Sequence, residues 1–207
     1  MTVTGNASLF VIAAPSGAGK TTLVKALVDR NPALKFSISY TTRKQRSTEE
    51  HGRDYFFVDQ EEFESLREKG ELLESAVVFD NHYGTSRSQV EEHLDNGNHV
   101  ILEIDWQGAQ QVRASMPGCV TVFILPPSRT ELERRLRGRK TDSEEVIARR
   151  LRDALGDMSH WDEFDHVIIN DDLNKATAEL EAVISGNGED SRVGNQALAK
   201  RVENMLV

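Results

Sequence analysis

The 207-residue chain carries 25 Lys and Arg against 34 Asp and Glu, a net charge of −9, which disfavours a general nucleic-acid binder because such domains are usually basic. With 38% hydrophobic and 29% charged residues and a mean hydropathy of −0.48, it falls among ordinary globular chains of one domain, or one domain with an inserted lobe, rather than disordered or membrane-embedded ones. No run approaches the roughly 20 apolar residues that span a bilayer, and the lone Cys119 excludes an intramolecular disulfide framework and fits a reducing cytoplasm.

Leu9–Ala14 is apolar, short and bounded by turn residues, so it reads as a buried strand; with no basic segment before it, a secretory leader is not expected. The Gly-rich stretch Ala14-Pro15-Ser16-Gly17-Ala18-Gly19-Lys20-Thr21 follows, and Thr21–Arg30 has helical spacing. From about residue 36 to 90 the rhythm breaks into polar Ser/Thr/Arg-rich stretches, a strand-like Tyr55–Val58, a short helix near Glu61–Lys69 and a strand near Leu72–Val78. This segment reads as an insertion with its own binding surface. Strands are then expected at Val100–Ile104, Val120–Leu125 and Val167–Ile169, and helices at Gln107–Ser115, Ser128–Arg137, Ser143–Met158 and Leu173–Ile184. Ser128-Arg-Thr-Glu131 and Thr141-Asp-Ser-Glu144 fit the capping-box pattern at two helix starts. Gly186–Gly194 is loop-like, and Gln196–Leu206 can form a short amphipathic helix.

A Gly-rich loop between a strand and a helix is the context a phosphate-binding loop requires. Glycines let successive backbone N–H groups turn inward around phosphate oxygens, and the following helix aims its positive end at the same charge. Lys20 would neutralise β- and γ-phosphate charge and the Thr21 hydroxyl would sit at Mg²⁺. The general pattern begins with Gly where this chain has Ala14, which is tolerated if that position needs no positive φ. Glu103 and Asp105 close a core strand, where ligands bind in open parallel sheets, and would hold Mg²⁺ through its waters. Residues 129–152 hold nine of the 25 Lys and Arg, a local positive site within an acidic chain. The six histidines form no zinc-ligand pattern and no serine nucleophile elbow is present.

Taken together, the loop, Ser37-Ile-Ser-Tyr-Thr-Thr-Arg43-Lys-Gln-Arg46, Gly52-Arg-Asp-Tyr55-Phe-Phe, Glu74, His82-Tyr83-Gly84-Thr85, Leu102-Glu-Ile-Asp105-Trp-Gln-Gly108 and Ile169-Asn170-Asp-Asp-Leu173 resemble the guanylate kinase family in order and spacing over roughly residues 8–185. The resemblance implies an α/β P-loop nucleoside monophosphate kinase fold: a central parallel sheet flanked by helices, with an inserted GMP-binding lobe and a mobile lid. It implies a domain over residues 1–185, with core 8–35, 91–126 and 158–185, lobe 36–90 and lid 127–157, and a tail, 186–207, of unassigned role. The activity implied is magnesium-dependent transfer of the γ-phosphoryl group of ATP to GMP, without a covalent intermediate.

Residue by residue, the resemblance assigns ATP to Ala14, Pro15, Ser16, Gly17, Ala18, Gly19, Lys20, Thr21, Thr22 and Asn170. It assigns the GMP phosphate to Arg43, Arg46, Tyr55 and Tyr83, and guanine to Ser39, Glu74 and Thr85, with Glu103 also on the GMP side where many members carry Asp. Thr21 and Asp105 serve the metal, largely through water. Lys20, Arg43, Arg135, Arg139 and Arg150 are the charge-stabilising set. Arginine forks match phosphate oxygens, and a carboxylate accepts from guanine's N1–H and 2-amino group, which adenine lacks. Asn170 has a second reading, as a cap for the helix that begins near Asp172. Two rivals stand beside this: a phosphotransferase of the same fold with another acceptor, disfavoured by Ser39 and Glu74, and a non-catalytic protein-binding module, disfavoured by an intact Lys20 and Thr21. The expected partners are ATP and GMP, with no nucleic acid and no membrane, in the cytoplasm. Whether the chain forms a homo-oligomer is left open.

Overall fold

The computed structural model describes residues 7–31, 33–78, 80–138 and 144–206. Two compact units divide the chain: Met1–Val11, Pro32–Leu102 and Gln107–Cys119 form one, and Ile12–Asn31, Glu103–Trp106 and Val120–Val207 the other. A five-stranded sheet has the order β2 (Leu34–Phe36), β7 (His99–Ile104), β1 (Leu9–Ala13), β8 (Val120–Leu125), β9 (His166–Ile169). β2 pairs with β7 and β8 with β9, both parallel. The fold is α/β, a parallel sheet flanked by helices. β1 and β9 are buried along their whole length, as strands covered on both faces are. Ile12, Phe123, Ile124 and Leu125 are fully buried, each contributing about 1.5–3 kcal/mol relative to exposure. Cys119, buried just before β8, acts as a small core hydrophobe.

In the second unit, α1 (Lys20–Arg30) and α7 (Leu173–Ile184) are tied by Arg30, which reaches Asn174 at 3.3 Å and Glu181 at 3.7 Å. α5 (Arg129–Arg137) starts at Ser128, whose hydroxyl accepts from the Glu131 N–H at 3.1 Å, as the capping pattern predicts. α6 (Glu144–Met158) follows; the Thr141–Ser143 part of the other expected capping box lies outside the described residues. Behind β9 the chain folds back, with Val193 N–H donating to Asp165 O at 3.1 Å. The final helix, α8 (Gln196–Leu206), buries Val202 completely.

The first unit carries a four-stranded sheet ordered β4 (Phe56–Phe57), β3 (Ser39–Thr41), β6 (Asn81–Ser86), β5 (Leu72–Val78). β6 runs antiparallel to both β3 and β5. α2 (Gln60–Glu68) is capped by Asp59, and its buried Phe63 packs where Gly84 leaves room: a Cβ there would stand 3.2 Å from Phe63 Cζ and 2.9 Å from Leu72 Cδ1. α3 (Arg87–Asp95) starts at Ser86, and α4 (Trp106–Ser115) completes the set. The strand expected over Tyr55–Val58 shortens to Phe56–Phe57. β2, β3, β6 and α3 were not legible as elements, because each is short, polar or buries few residues: α3 buries only Val90.

Candidate functional site

The phosphate loop bends through two positive-φ glycines, Gly17 and Gly19, each at φ 92°. Gly19 stands at the N-terminus of α1 with no side-chain cap, so no side chain at the cap position competes with an anion for the first-turn N–H groups. Among the loop residues, Pro15 and Ala18 are buried and Thr21 and Thr22 exposed. Lys20 Nζ donates to Ile104 O at 2.7 Å, and the Thr21 hydroxyl donates to the Glu103 carboxylate. Asp105 follows two residues after Glu103. Glu103, assigned to the GMP side from the resemblance, thus lies beside the loop's threonine.

Asn170 is 6% exposed, and its side-chain amide donates to Ala18 O at 2.8 Å. Its capping reading does not apply: Asp172 caps α7, accepting from Lys175 N–H at 3.0 Å. Gly19 is required here twice over, since a Cβ would come within 2.5 Å of Asn170 Nδ2 and φ is positive. Arg135 completes the cage, with Nη1 donating to Ala18 O at 3.1 Å, Nη2 to Asn170 O at 3.0 Å and Nε to Glu131 at 2.8 Å. Hydrogen bonds from Arg134 and then Arg135 pull the Glu131 carboxyl down to about 2. Arg150 is half-buried on α6, and Arg139 lies outside the described residues. Trp106, next to Asp105, donates to Asp157 at 3.0 Å and stacks on His160 at 3.5 Å; burial pushes the Asp157 carboxyl up.

In the first unit, strand register does what sequence distance hides. Ser39 pairs with Thr85, and Thr85 in turn with Glu74, so three residues from separate motifs form one row across β3, β6 and β5, on one face. Thr85 and Glu74 are both buried and joined by a hydrogen bond. A register shift between Leu72 and Glu74 sets that alignment.

Arg43, Tyr55 and Tyr83 gather nearby in the same unit. The Arg43 guanidinium lies 5.4 Å from the Tyr55 ring centre and 5.7 Å from that of Phe57, a cation–π arrangement. Tyr55 and Tyr83 meet edge to face at 5.9 Å. The hydrogen bond to Glu49, followed by one to Tyr83, raises the Arg43 pKa against the opposing effect of burial. Arg46 is on the same loop with its side chain 71% exposed. Glu49, which pairs with Arg43, was missed by sequence reading; only its place six residues after an arginine offered a signal, and that is a weak one in a loop. Among the described residues no group of three or more His, Cys, Asp or Glu is arranged to hold a metal, and no helix is long and apolar enough to cross a membrane.

Comparison with known proteins sharpens what this geometry represents. The family model described as guanylate kinase matches residues 6–187. A guanylate kinase of Alkalilimnicola ehrlichii is 51% identical over 199 residues, covering 96% of this chain and 98% of the relative. One of Methylococcus capsulatus is 57% identical over 176 residues, covering 85% and 86%. Among solved structures, the guanylate kinase of Anaplasma phagocytophilum superposes with a TM-score of 0.73 at 33% identity, covering 96% of this chain and 94% of that one. With the match running through both the phosphate loop and the Ser39–Thr85–Glu74 row, the chain belongs to the guanylate kinase family.

Proposed function

We propose that the protein transfers the γ-phosphoryl group of ATP to GMP, giving ADP and GDP. The observation that carries this reading is the row Ser39, Thr85 and Glu74, the last two buried, a hydroxyl-and-carboxylate face suited to guanine, in a chain that also holds a phosphate loop with Lys20 and Thr21. ATP phosphates are taken by the loop over residues 14–22, through the backbone N–H groups that every residue there but Pro15 carries, with Lys20 as the cation; Asn170 and Arg135 both hold the loop at Ala18 O. Arg43, Arg46, Tyr55 and Tyr83 take the GMP phosphate. The segment 36–90 serves as the GMP-binding lobe and 127–157 as the lid.

The Thr21 hydroxyl and the Glu103 carboxylate meet at the loop; with Asp105, two residues after Glu103, they make an all-oxygen set of would-be ligands, which fits Mg²⁺. When bound, the ion neutralises charge on the β- and γ-phosphates. The chain's own contribution is alignment and fixed positive charge. The acceptor is already a phosphate oxygen, so no side chain has to remove a proton from it. Lys20, Arg135, Arg139 and Arg150 stabilise charge that moves onto the transferring group and the leaving oxygen, worth most in a site held in place beforehand. A cytoplasmic setting, where both nucleotides occur, follows from this reading. Phosphorus NMR of a mixture with ATP, GMP and Mg²⁺ tests it: ADP and GDP should appear in equal amounts. ADP with inorganic phosphate and no GDP would identify an ATPase instead.

A further inference from the structure

Glu49 belongs to none of the motifs that drew attention in the sequence, yet it is the best-anchored carboxylate beside the phosphate-binding arginines. Its Oε1 accepts from Arg43 Nη2 at 2.8 Å and its Oε2 from Arg43 Nη1 at 3.1 Å. The backbone N–H of Arg46 donates to the same Oε2 at 2.9 Å. The Gln45 side chain in turn holds the Glu49 carbonyl at 2.6 Å. Arg43 and Glu49 side chains are only 16% and 13% exposed, and the hydrogen bond from Arg43 is the chief reason the Glu49 carboxyl sits below the usual range.

A carboxylate in an arginine fork can act in two ways. It can compete with an incoming phosphate for the same donors, or it can brace the fork so that another edge faces the phosphate. The geometry favours the brace. A planar guanidinium has five N–H donors in a fixed fork, and Glu49 takes its Nη1/Nη2 end, with Lys44 O also on Nη1 at 2.9 Å; the Nε/Nη2 edge lies outside the pair with Glu49. A competitor needs to swing away, but Glu49 is tied at three points, one of them backbone. One carboxylate set against Arg43 and Arg46 also leaves net positive charge for a dianionic phosphate.

We propose that Glu49 is a positioning residue for the GMP phosphate, holding Arg43 by a two-point ion pair and fixing, through the Arg46 N–H, the loop that presents both arginines. The proposal rests on the guanylate kinase reading above. Its test is Glu49→Gln, with GMP and guanosine binding followed by calorimetry and steady-state constants for both substrates. Loss of charge-assisted hydrogen bonds should weaken GMP binding and raise its KM about tenfold to a hundredfold. Guanosine, which lacks the phosphate, should bind as to the parent protein, and the KM for ATP should hold. Glu49→Asp keeps the charge but shortens the reach; it should give a milder loss of the same pattern, and it serves as the test where Glu49→Gln does not fold. Tighter GMP binding would make Glu49 a competitor and overturn the proposal; unchanged binding would overturn it too, as would equal losses for GMP and guanosine, which indicate general damage. Parent protein that neither binds nor phosphorylates GMP would overturn the functional reading and this inference together; an active parent with a fully competent Glu49→Gln variant would overturn this inference alone.

Discussion

Thr85 donates its hydroxyl proton to Glu74 Oε1 at 2.7 Å, and the two side chains are 1% and 4% exposed. Burying a carboxylate is costly unless it is hydrogen-bonded, and Thr85 supplies one such bond. The carboxylate's multiple lone-pair sites let it accept from a ligand as well as from Thr85. Guanine offers two donors, N1–H and the 2-amino group, whereas adenine presents an acceptor at N1. Glu74→Gln retains the size and an acceptor for Thr85 but places a donor against donors. The expected result is a folded protein whose kcat/KM for GMP falls about a hundredfold or more, with the KM for ATP little changed and discrimination against AMP reduced. Kinetics with both acceptors checks this.

Lys20 is the cation that the phosphate loop brings to the ATP phosphates, and its ammonium donates to Ile104 O at 2.7 Å. Its contacts to the transferring group strengthen as charge moves onto the leaving oxygen. Lys20→Ala should therefore lower kcat by about 10²–10³ while thermal melting stays close to that of the parent. Near-normal kcat would place catalysis elsewhere.

Gly19→Ala puts a Cβ 2.5 Å from Asn170 Nδ2 at a backbone φ of 92°. Strain at such a position costs on the order of 1–3 kcal/mol, and the loop must shift to relieve the contact. A lower denaturation midpoint and a raised KM for ATP are expected. Adding Asn170→Ala removes the obstruction but also the amide on Ala18 O, so the two changes should not add, with a coupling of about 0.5–3 kcal/mol. Denaturant titration of the four proteins measures it.

His166 is buried against the returning chain, its Nδ1 3.1 Å from Ser191 Oγ. Burial first, then the positive charge of Arg192, push its pKa below the ordinary 6.5. Above that value both folded and unfolded states carry a neutral imidazole, and His166 gives no pH dependence. As pH falls through it, the unfolded state binds the proton first, so stability declines with falling pH until the folded value is passed. His166→Gln should flatten the fall in melting temperature between about pH 6.5 and 5. An unaltered slope would show that other groups set it.

Four of the five strands of the parallel sheet, all but the short β2, were readable because burial on both faces demands continuous apolar runs, as at Leu9–Ala13 and Val120–Leu125. The GMP-side sheet follows another logic. β6 reads Asn-His-Tyr-Gly-Thr-Ser, residues chosen for what they present rather than what they bury, and no periodic signal announces it. The phosphate loop is a local feature and so was visible in one stretch. The row of Ser39, Thr85 and Glu74, the amide of Asn170 beneath Ala18, and the hold of Glu49 on Arg43 depend on register and loop closure. Spacing along the chain does not encode those relations. Family resemblance named most of the participants, but it did not supply the contacts that join them.

GMP should be phosphorylated in preference to other nucleoside monophosphates. The most direct measurement is ADP release, coupled to NADH oxidation, with Mg²⁺, ATP and each of GMP, AMP, CMP and dTMP as acceptor. Release should depend on GMP, with kcat/KM for GMP exceeding that for AMP by about 10⁴-fold or more, as sites built on hydrogen bonds to the preferred ligand allow. Comparable values for GMP and AMP, or ADP release that ignores the acceptor, would contradict it.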